Sequence, residues 1–309
     1  MKKITIGSEG RGSWGLYWVI KSIREKFKDC EIILPPYTTQ WSPDLITGKF
    51  NNIIVKENSS ECDFVIKSNF EYDEPNWNTS SKKYIYWSGE SYGPTRSEYE
   101  SEHINLLTGG PFDEKTAYMP FFMYSPFLYK DKYANHEAKK KRIAYCNNNL
   151  IQIREDIFNF FVEKIGANSC SSLGNCFGKY QETNKKIEAF WFHEKLIKEY
   201  SEYDFIIAME NKVYEGYVTE KILNAYCSGG VPIYWGDSKF AKMFFNKNSF
   251  IDASDFKNLE ECVEYVCKLK KTEIDYLTSQ PHFNKIEGID ARQFLYKKCS
   301  EKINKFLFN

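Results

Sequence analysis

Short apolar runs, set apart by stretches rich in Ser, Asn, Pro and Gly, give the first half of this chain its pattern. Runs at 3–7, 30–34, 52–55, 62–66, 84–87 and 104–107 predict buried strands. Between the first two, a glycine-rich turn leads into a stretch with helical spacing that puts Trp14, Trp18 and Phe27 roughly on one face. The second half alternates more regularly. Strands are expected at 142–146, 203–209 and 231–235. Helices are expected over the stretch carrying Ile153, Ile157, Phe160 and Phe161, over 184–200 and 219–227, and along the lysine-rich tail 291–309, with further units at 250–252 and 259–269. In that tail Phe294, Leu295, Ile303, Phe306 and Leu307 are expected to face inward. Strands alternating with helices predict parallel sheets.

The polar, basic stretch 129–142 reads as a linker, or equally as a solvated loop. The expected organisation is an α/β protein with one domain over 1–140, a second over 141–290 and a terminal helix over 291–309. In open α/β sheets, ligands sit outside the carboxyl ends of the strands, where loops lead into helix N-termini.

Composition narrows the functions. Lysine plus arginine total 42 and aspartate plus glutamate total 42, so the net charge is zero. A chain so balanced is not built to coat nucleic acid or an anionic membrane by bulk electrostatics. Any anion it binds must be held by a few local cations. The nine cysteines are odd in number and scattered, with no C-x-x-C spacing, which argues for buried thiols in a reducing compartment rather than a zinc site. The start, MKKITIGSEG, lacks the apolar stretch of a signal peptide, and no run is long enough to span a membrane. The expectation is a soluble, cytoplasmic protein, in which the sequons at Asn58 and Asn78 carry little weight.

The chemistry concentrates in 203–236, YDFIIAMENKVYEGYVTEKILNAYCSGGVPIYWG. It reads as a buried strand, a polar loop, an amphipathic helix, a glycine pair and a second buried strand. Val218, Ile222, Ala225 and Tyr226 share one helix face, leaving the opposite face to point into a cleft. The loop delivers Glu210, Asn211, Tyr217, Thr219, Glu220 and Lys221 to the strand exit and the first helical turn. Unpaired N–H groups and the helix dipole favour anions there. Lys221 adds a full charge suited to a diphosphate, and Glu220 suits a ribose diol. Residue types alone leave open an ordinary helix start with an acidic first turn.

The ordered match E-N-x(4)-G-Y-V-T-E-K-I-L-N-A-Y followed by G-G-V-P-I-Y-W-G resembles the donor motif of the α1,3/α1,4-fucosyltransferases, glycosyltransferase family ten. Weaker likeness extends through 146–154, 172–176 (S-L-G-N-C) and 84–90. The resemblance implies a GT-B fold, meaning two Rossmann-like domains facing across a cleft. It also implies inverting transfer of fucose from GDP-β-L-fucose to a hydroxyl of an acceptor sugar, commonly N-acetylglucosamine, in α1,3 or α1,4 linkage. By position it assigns Asn211, Tyr217, Glu220 and Lys221 to the donor. Arg154, in C-N-N-N-L-I-Q-I-R, resembles the arginine that clamps the donor phosphates, a task its planar fork suits. Glu90, in Y-I-Y-W-S-G-E, resembles the proposed general base, which an in-line displacement requires. The chain departs from the family at Met209 and Lys212, and it lacks the paired-histidine acceptor motif of animal members.

Three other classes are open to comparison. Gly10, Gly12 and Gly15 form a G-x-G-x-x-G after a strand, as in dinucleotide-binding oxidoreductases, but the expected acid after the second strand is replaced by Pro35-Pro36. A transferase holding Mn²⁺ on D-x-D is disfavoured because no D-x-D occurs. No cofactor or metal is therefore expected to be required, although a divalent cation stimulating activity is compatible with the sequence. The third class is a catalytically inactive carbohydrate-binding protein, disfavoured by the retained Glu90, Arg154, Glu220 and Lys221.

Overall fold

A computed structural model describes residues 2–8, 13–34, 53–55, 61–68, 78–79, 83–90, 102–125, 127–128, 139–187 and 194–309. The chain divides into two compact units. The first comprises Met1–Pro120, Glu215–Tyr217 and Arg292–Asn309, and the second Phe121–Tyr214 and Val218–Ala291. The division falls at Pro120, and the terminal helix groups with the first unit. Gly10, Gly12, the sequon at Asn58, most of the expected linker and the side chain of Trp14 lie outside the described residues.

The first unit opens with β1 (Lys3–Ser8), α1 (Ser13–Lys26), β2 (Glu31–Leu34) and β3 (Ile53–Val55). The run expected at 62–66 is two strands, β4 (Glu61–Cys62) and β5 (Phe64–Ser68), broken at the exposed Asp63, whose carboxylate accepts from the Thr5 N–H at 2.6 Å. After β6 (Asn78–Thr79) come β7 (Lys83–Ser88), β8 (Glu102–Leu107) and β9 (Thr116–Tyr118). Seven of these form a sheet of order β3-β2-β1-β5-β7-β8-β9 with every pairing parallel, while β4 pairs β6 separately. This is the doubly wound Rossmann order extended by one strand.

The second unit contains β10 (Lys141–Tyr145), α2 (Gln152–Ile165), β11 (Cys170–Ser172), α3 (Glu194–Tyr200), β12 (Tyr203–Met209), α4 (Glu220–Cys227) and β13 (Val231–Trp235). It continues with α5 (Ser238–Phe244), β14 (Ile251–Asp252), α6 (Leu259–Lys268), α7 (Lys271–Ser279) and a short antiparallel ribbon, β15 (Lys285–Ile286) with β16 (Ile289–Asp290). Its parallel sheet has the order β11-β10-β12-β13-β14. Both faces are covered. Ile143, Tyr145, Phe205 and Ile207 pack with Phe158, Phe161 and Val263 on one side, whereas Ala144 and Ile206 meet Leu196, Tyr200 and Ala225 on the other. Burial on both faces is why β12 reads as a continuous apolar run rather than an alternating one.

The last helix, α8 (Ala291–Phe308), belongs to the first unit from Arg292 onward. Leu295, Ile303 and Leu307 are buried as expected, while Phe294 and Phe306 are half-buried. The Ser300 and Ser22 hydroxyls meet at 2.6 Å, and Lys302 Nζ donates to the carbonyls of Asp113 and Thr116. Those polar contacts fasten α8 to α1 and to the approach to β9.

Two expectations need correction. Of the helix expected over 184–200, Glu194–Tyr200 are helical, residues 188–193 lie outside the described residues, and residues 184–187 are not helical. Residues 184–187 extend along the end of β11, with Lys185 N–H donating to Ser172 O and Ile187 N–H to Leu173 O. Helix α4 is also not two-faced: Glu220 and all residues from Ile222 to Cys227 are buried, so no face is left open. Its one incompletely buried residue is Lys221.

Candidate functional site

In the second sheet the strand order reverses between β10 and β12. Loops leaving such a switch point diverge and leave a crevice beyond the carboxyl ends of the strands. Here those loops are 146–151, leading into α2, and 210–219, leading into α4. A third loop, after β11, touches the first. Gly174 packs directly against the backbone of Asn147, where a Cβ would collide with it, and Asn175 and Cys176 donate to the Asn147 carbonyl at 2.9 and 3.1 Å. The glycine in S-L-G-N-C is thus a close-approach residue.

Arg154 lies in the first turn of α2 and is 0% exposed. Its Nη1 donates to Asn147 Oδ1 at 2.7 Å and Asn211 Oδ1 at 3.0 Å, and its Nη2 donates to the Asn149 carbonyl at 2.8 Å. One planar fork therefore braces both loops of the switch point. The resemblance gives this guanidinium to the donor phosphates; here three loop oxygens converge on it. Among the described residues, Arg154 Nε and Asn147 Nδ2 are buried without a hydrogen-bond partner. Burial draws the Arg154 pKa down, opposed by acidic groups that include Glu210 and Glu155. Glu155, the next residue, is buried too, accepting from the Tyr145 hydroxyl and from Gly178 N–H at 2.7 Å.

The start of α4 is built around Glu210, which is 0% exposed. Thr219 is the N-cap but makes no capping bond with its own side chain. The Glu210 carboxylate takes that part, accepting from Thr219 N–H and from the Thr219 hydroxyl, each at 2.7 Å. Lys221 Nζ donates to Glu210 Oε2 at 3.1 Å and to Thr219 Oγ1 at 3.0 Å, with 20% of its side chain exposed. Burial works to lower the Lys221 pKa, but the pull of Glu210 and Glu220 outweighs it and the net direction is up. Burial raises the Glu220 pKa, with Lys221 opposing and Glu210 reinforcing. A lysine held protonated beside a helix N-terminus is a fixed positive site for an anion.

Of the six residues singled out by sequence, Arg154 and Asn211 are thus hydrogen-bonded to each other, and Glu220 and Lys221 share a charged cluster with Glu210. Glu90 and Tyr217 belong to the first unit. Glu90 follows β7 at the carboxyl edge of its sheet and is half-buried; its N–H donates to Ser88 Oγ at 3.3 Å and its carbonyl accepts from the Thr108 hydroxyl at 3.2 Å. Tyr217 is buried in a tripeptide fixed by Gly110 N–H to Glu215 O at 2.8 Å and by the Tyr118 hydroxyl to Gly216 O at 2.6 Å. Sequence reasoning placed Glu210 in the loop but gave it no role. Its signal, an acid directly after an apolar strand, gains meaning only once Lys221 is seen to fold back onto it.

Among the described residues, no group of three or more His, Cys, Asp or Glu side chains is placed to hold a metal ion. No helix among them is long and apolar enough to cross a membrane. The nine cysteines are free, and burial pushes the thiols of Cys62, Cys146, Cys170, Cys262 and Cys299 up to about 12.

Residues 136–284 match the model of the glycosyltransferase family 10 (fucosyltransferase) C-terminal domain. The chain is 39% identical over 102 residues to an α-(1,3)-fucosyltransferase of Helicobacter pylori, a match covering 33% of this chain and 21% of that protein. It is 33% identical over 158 residues to a putative fucosyltransferase of Acanthamoeba polyphaga mimivirus, covering 49% of this chain and 26% of the relative. The chain thus spans about a fifth to a quarter of the length of these curated relatives. A crystal structure of an α1,3-fucosyltransferase with GDP superposes with a TM-score of 0.67 at 18% identity, covering 100% of this chain and 91% of that one. The fold is accordingly of the GT-B type, with two Rossmann-like α/β units, and the segment similar to the glycosyltransferase family 10 C-terminal domain, residues 136–284, holds Arg154, Asn211, Glu220 and Lys221.

Proposed function

We infer that this protein is a glycosyltransferase that moves L-fucose from GDP-β-L-fucose to a hydroxyl of an acceptor sugar, with inversion at the anomeric carbon. The observation that carries this reading is the start of α4, where a protonated lysine is fixed beside a helix N-terminus, inside the family 10 domain, next to the switch-point loops braced by Arg154. In the proposed reaction the acceptor oxygen attacks the anomeric carbon of fucose while the bond to the β-phosphate oxygen breaks. The bonding electrons leave with GDP, and the acceptor proton passes to the Glu90 carboxylate. Lys221 and the N–H groups of the helix start offset the charge that grows on the departing diphosphate. Glu220 accepts from a ribose hydroxyl, and Asn211 and Tyr217 complete the donor contacts. Because these groups supply the positive charge, no metal is assigned a role. The acceptor class that family likeness favours is a glycan ending in N-acetylglucosamine, joined through O3 or O4.

A thermal-shift panel tests the class, since a ligand that binds only the folded state raises its stability. GDP and GDP-fucose should raise the melting temperature where UDP-glucose and NAD do not. Selective stabilisation by NAD would favour the oxidoreductase reading instead.

A further inference from the structure

Glu210 stands at the end of β12 with no exposed surface, and a carboxylate in that position must be offset by nearby donors and charge. Its offset is specific. One oxygen accepts from Thr219 N–H, the other from the Thr219 hydroxyl and from Lys221 Nζ. Gly236 leaves the space it needs, since a Cβ there would come within 2.7 Å of Glu210 Cγ. A lysine stem is flexible and loses rotamer freedom when its ammonium is fixed on a ligand. Where the ammonium is already fixed, that loss is taken in folding rather than in binding.

We propose that Glu210 is a positioning residue for the nucleotide-diphosphate site, acting through Lys221 by holding its ammonium and the Thr219 cap in the geometry the diphosphate meets. This rests on the donor-site reading above. In Glu210→Gln an amide NH₂ replaces the oxygen that faces Lys221 Nζ, or else the amide oxygen abandons Thr219 N–H; either way one donor loses its acceptor. The ammonium is then no longer held.

The test is a calorimetric titration with GDP of the wild type, Glu210→Gln, Lys221→Ala and the double variant, with urea unfolding to establish that each is folded. Glu210→Gln should bind GDP about tenfold more weakly, and the double variant should bind no more weakly than Lys221→Ala alone, because residues acting as a unit are not additive. In turnover, the donor KM should rise with kcat little changed, and Glu210→Asp should recover part of the loss. If Glu210→Gln does not unfold cooperatively, Glu210→Asp takes its place in the cycle, with a smaller loss that likewise vanishes in the Lys221→Ala background. Unchanged or tighter GDP binding, or full additivity with Lys221→Ala, would overturn the proposal while leaving the donor site intact. A wild type that does not bind GDP would overturn the donor-site reading and this proposal together.

Discussion

Arg154 Nη1 and Asn211 Oδ1 lie 3.0 Å apart, joining the first turn of α2 to the loop that follows β12. The same nitrogen also reaches Asn147, so a single buried guanidinium ties together the two loops at which the sheet order reverses. Arg154 is thus as much a part of the fold as of the site. Arg154→Met should destabilise the protein by about 1.5–3 kcal/mol, the cost of losing hydrogen bonds to a charged group while leaving loop oxygens unsatisfied. Urea unfolding measures it, and a change below about 0.5 kcal/mol, the range of an ordinary surface substitution, would contradict the bracing role.

Lys221 differs, because part of its side chain reaches solvent. Lys221→Ala should weaken GDP binding by about 1.5–3 kcal/mol, roughly ten- to a hundredfold. Calorimetry at fixed ionic strength gives the answer, and equal affinity for both proteins would remove Lys221 from the donor site.

Glu220 predicts a pH signature. Its pKa is raised by burial, so between the unfolded and folded values the native state holds more protons than the unfolded state, and stability falls as pH rises through that window. Glu220→Gln has no such charge to bury. Its stability relative to wild type should therefore increase from about pH 4 upward and level off once Glu220 is fully ionised. Urea unfolding across that range is the check, and a relative stability that falls with pH would mean the carboxylate is favoured by folding.

Glu90→Gln should leave GDP affinity within about twofold of wild type while slowing transfer by roughly a hundredfold or more, the usual contribution of a general base. Single-turnover kinetics at saturating donor separates the two effects. Near-normal turnover would remove Glu90 from the mechanism.

Much of the fold was legible because β12 and β13 are buried on both faces and read as unbroken apolar runs. The strand β11, Cys170–Ser172, was not legible, since its serines carry no apolar signal and it gains its place from pairing with β10. The helix expected at 184–200 failed at its start, where backbone pairing with Ser172 and Leu173 outweighs the apolar spacing of the side chains. At the candidate site, resemblance pointed to the E-N and Y-V-T-E-K residues, but not to the bonds among them. The bond from Arg154 to Asn211 joins residues 57 apart in the chain, and the coupling of Glu210 to Lys221 depends on how the loop between them turns back. No local pattern encodes these.

The most direct test of fucosyl transfer is to incubate the protein and GDP-fucose, in EDTA, with a glycan ending in N-acetylglucosamine and weigh the acceptor by mass spectrometry. The account predicts a gain of one deoxyhexose with stoichiometric release of GDP. An unmodified acceptor under these conditions, together with transfer from a different sugar nucleotide, would contradict it.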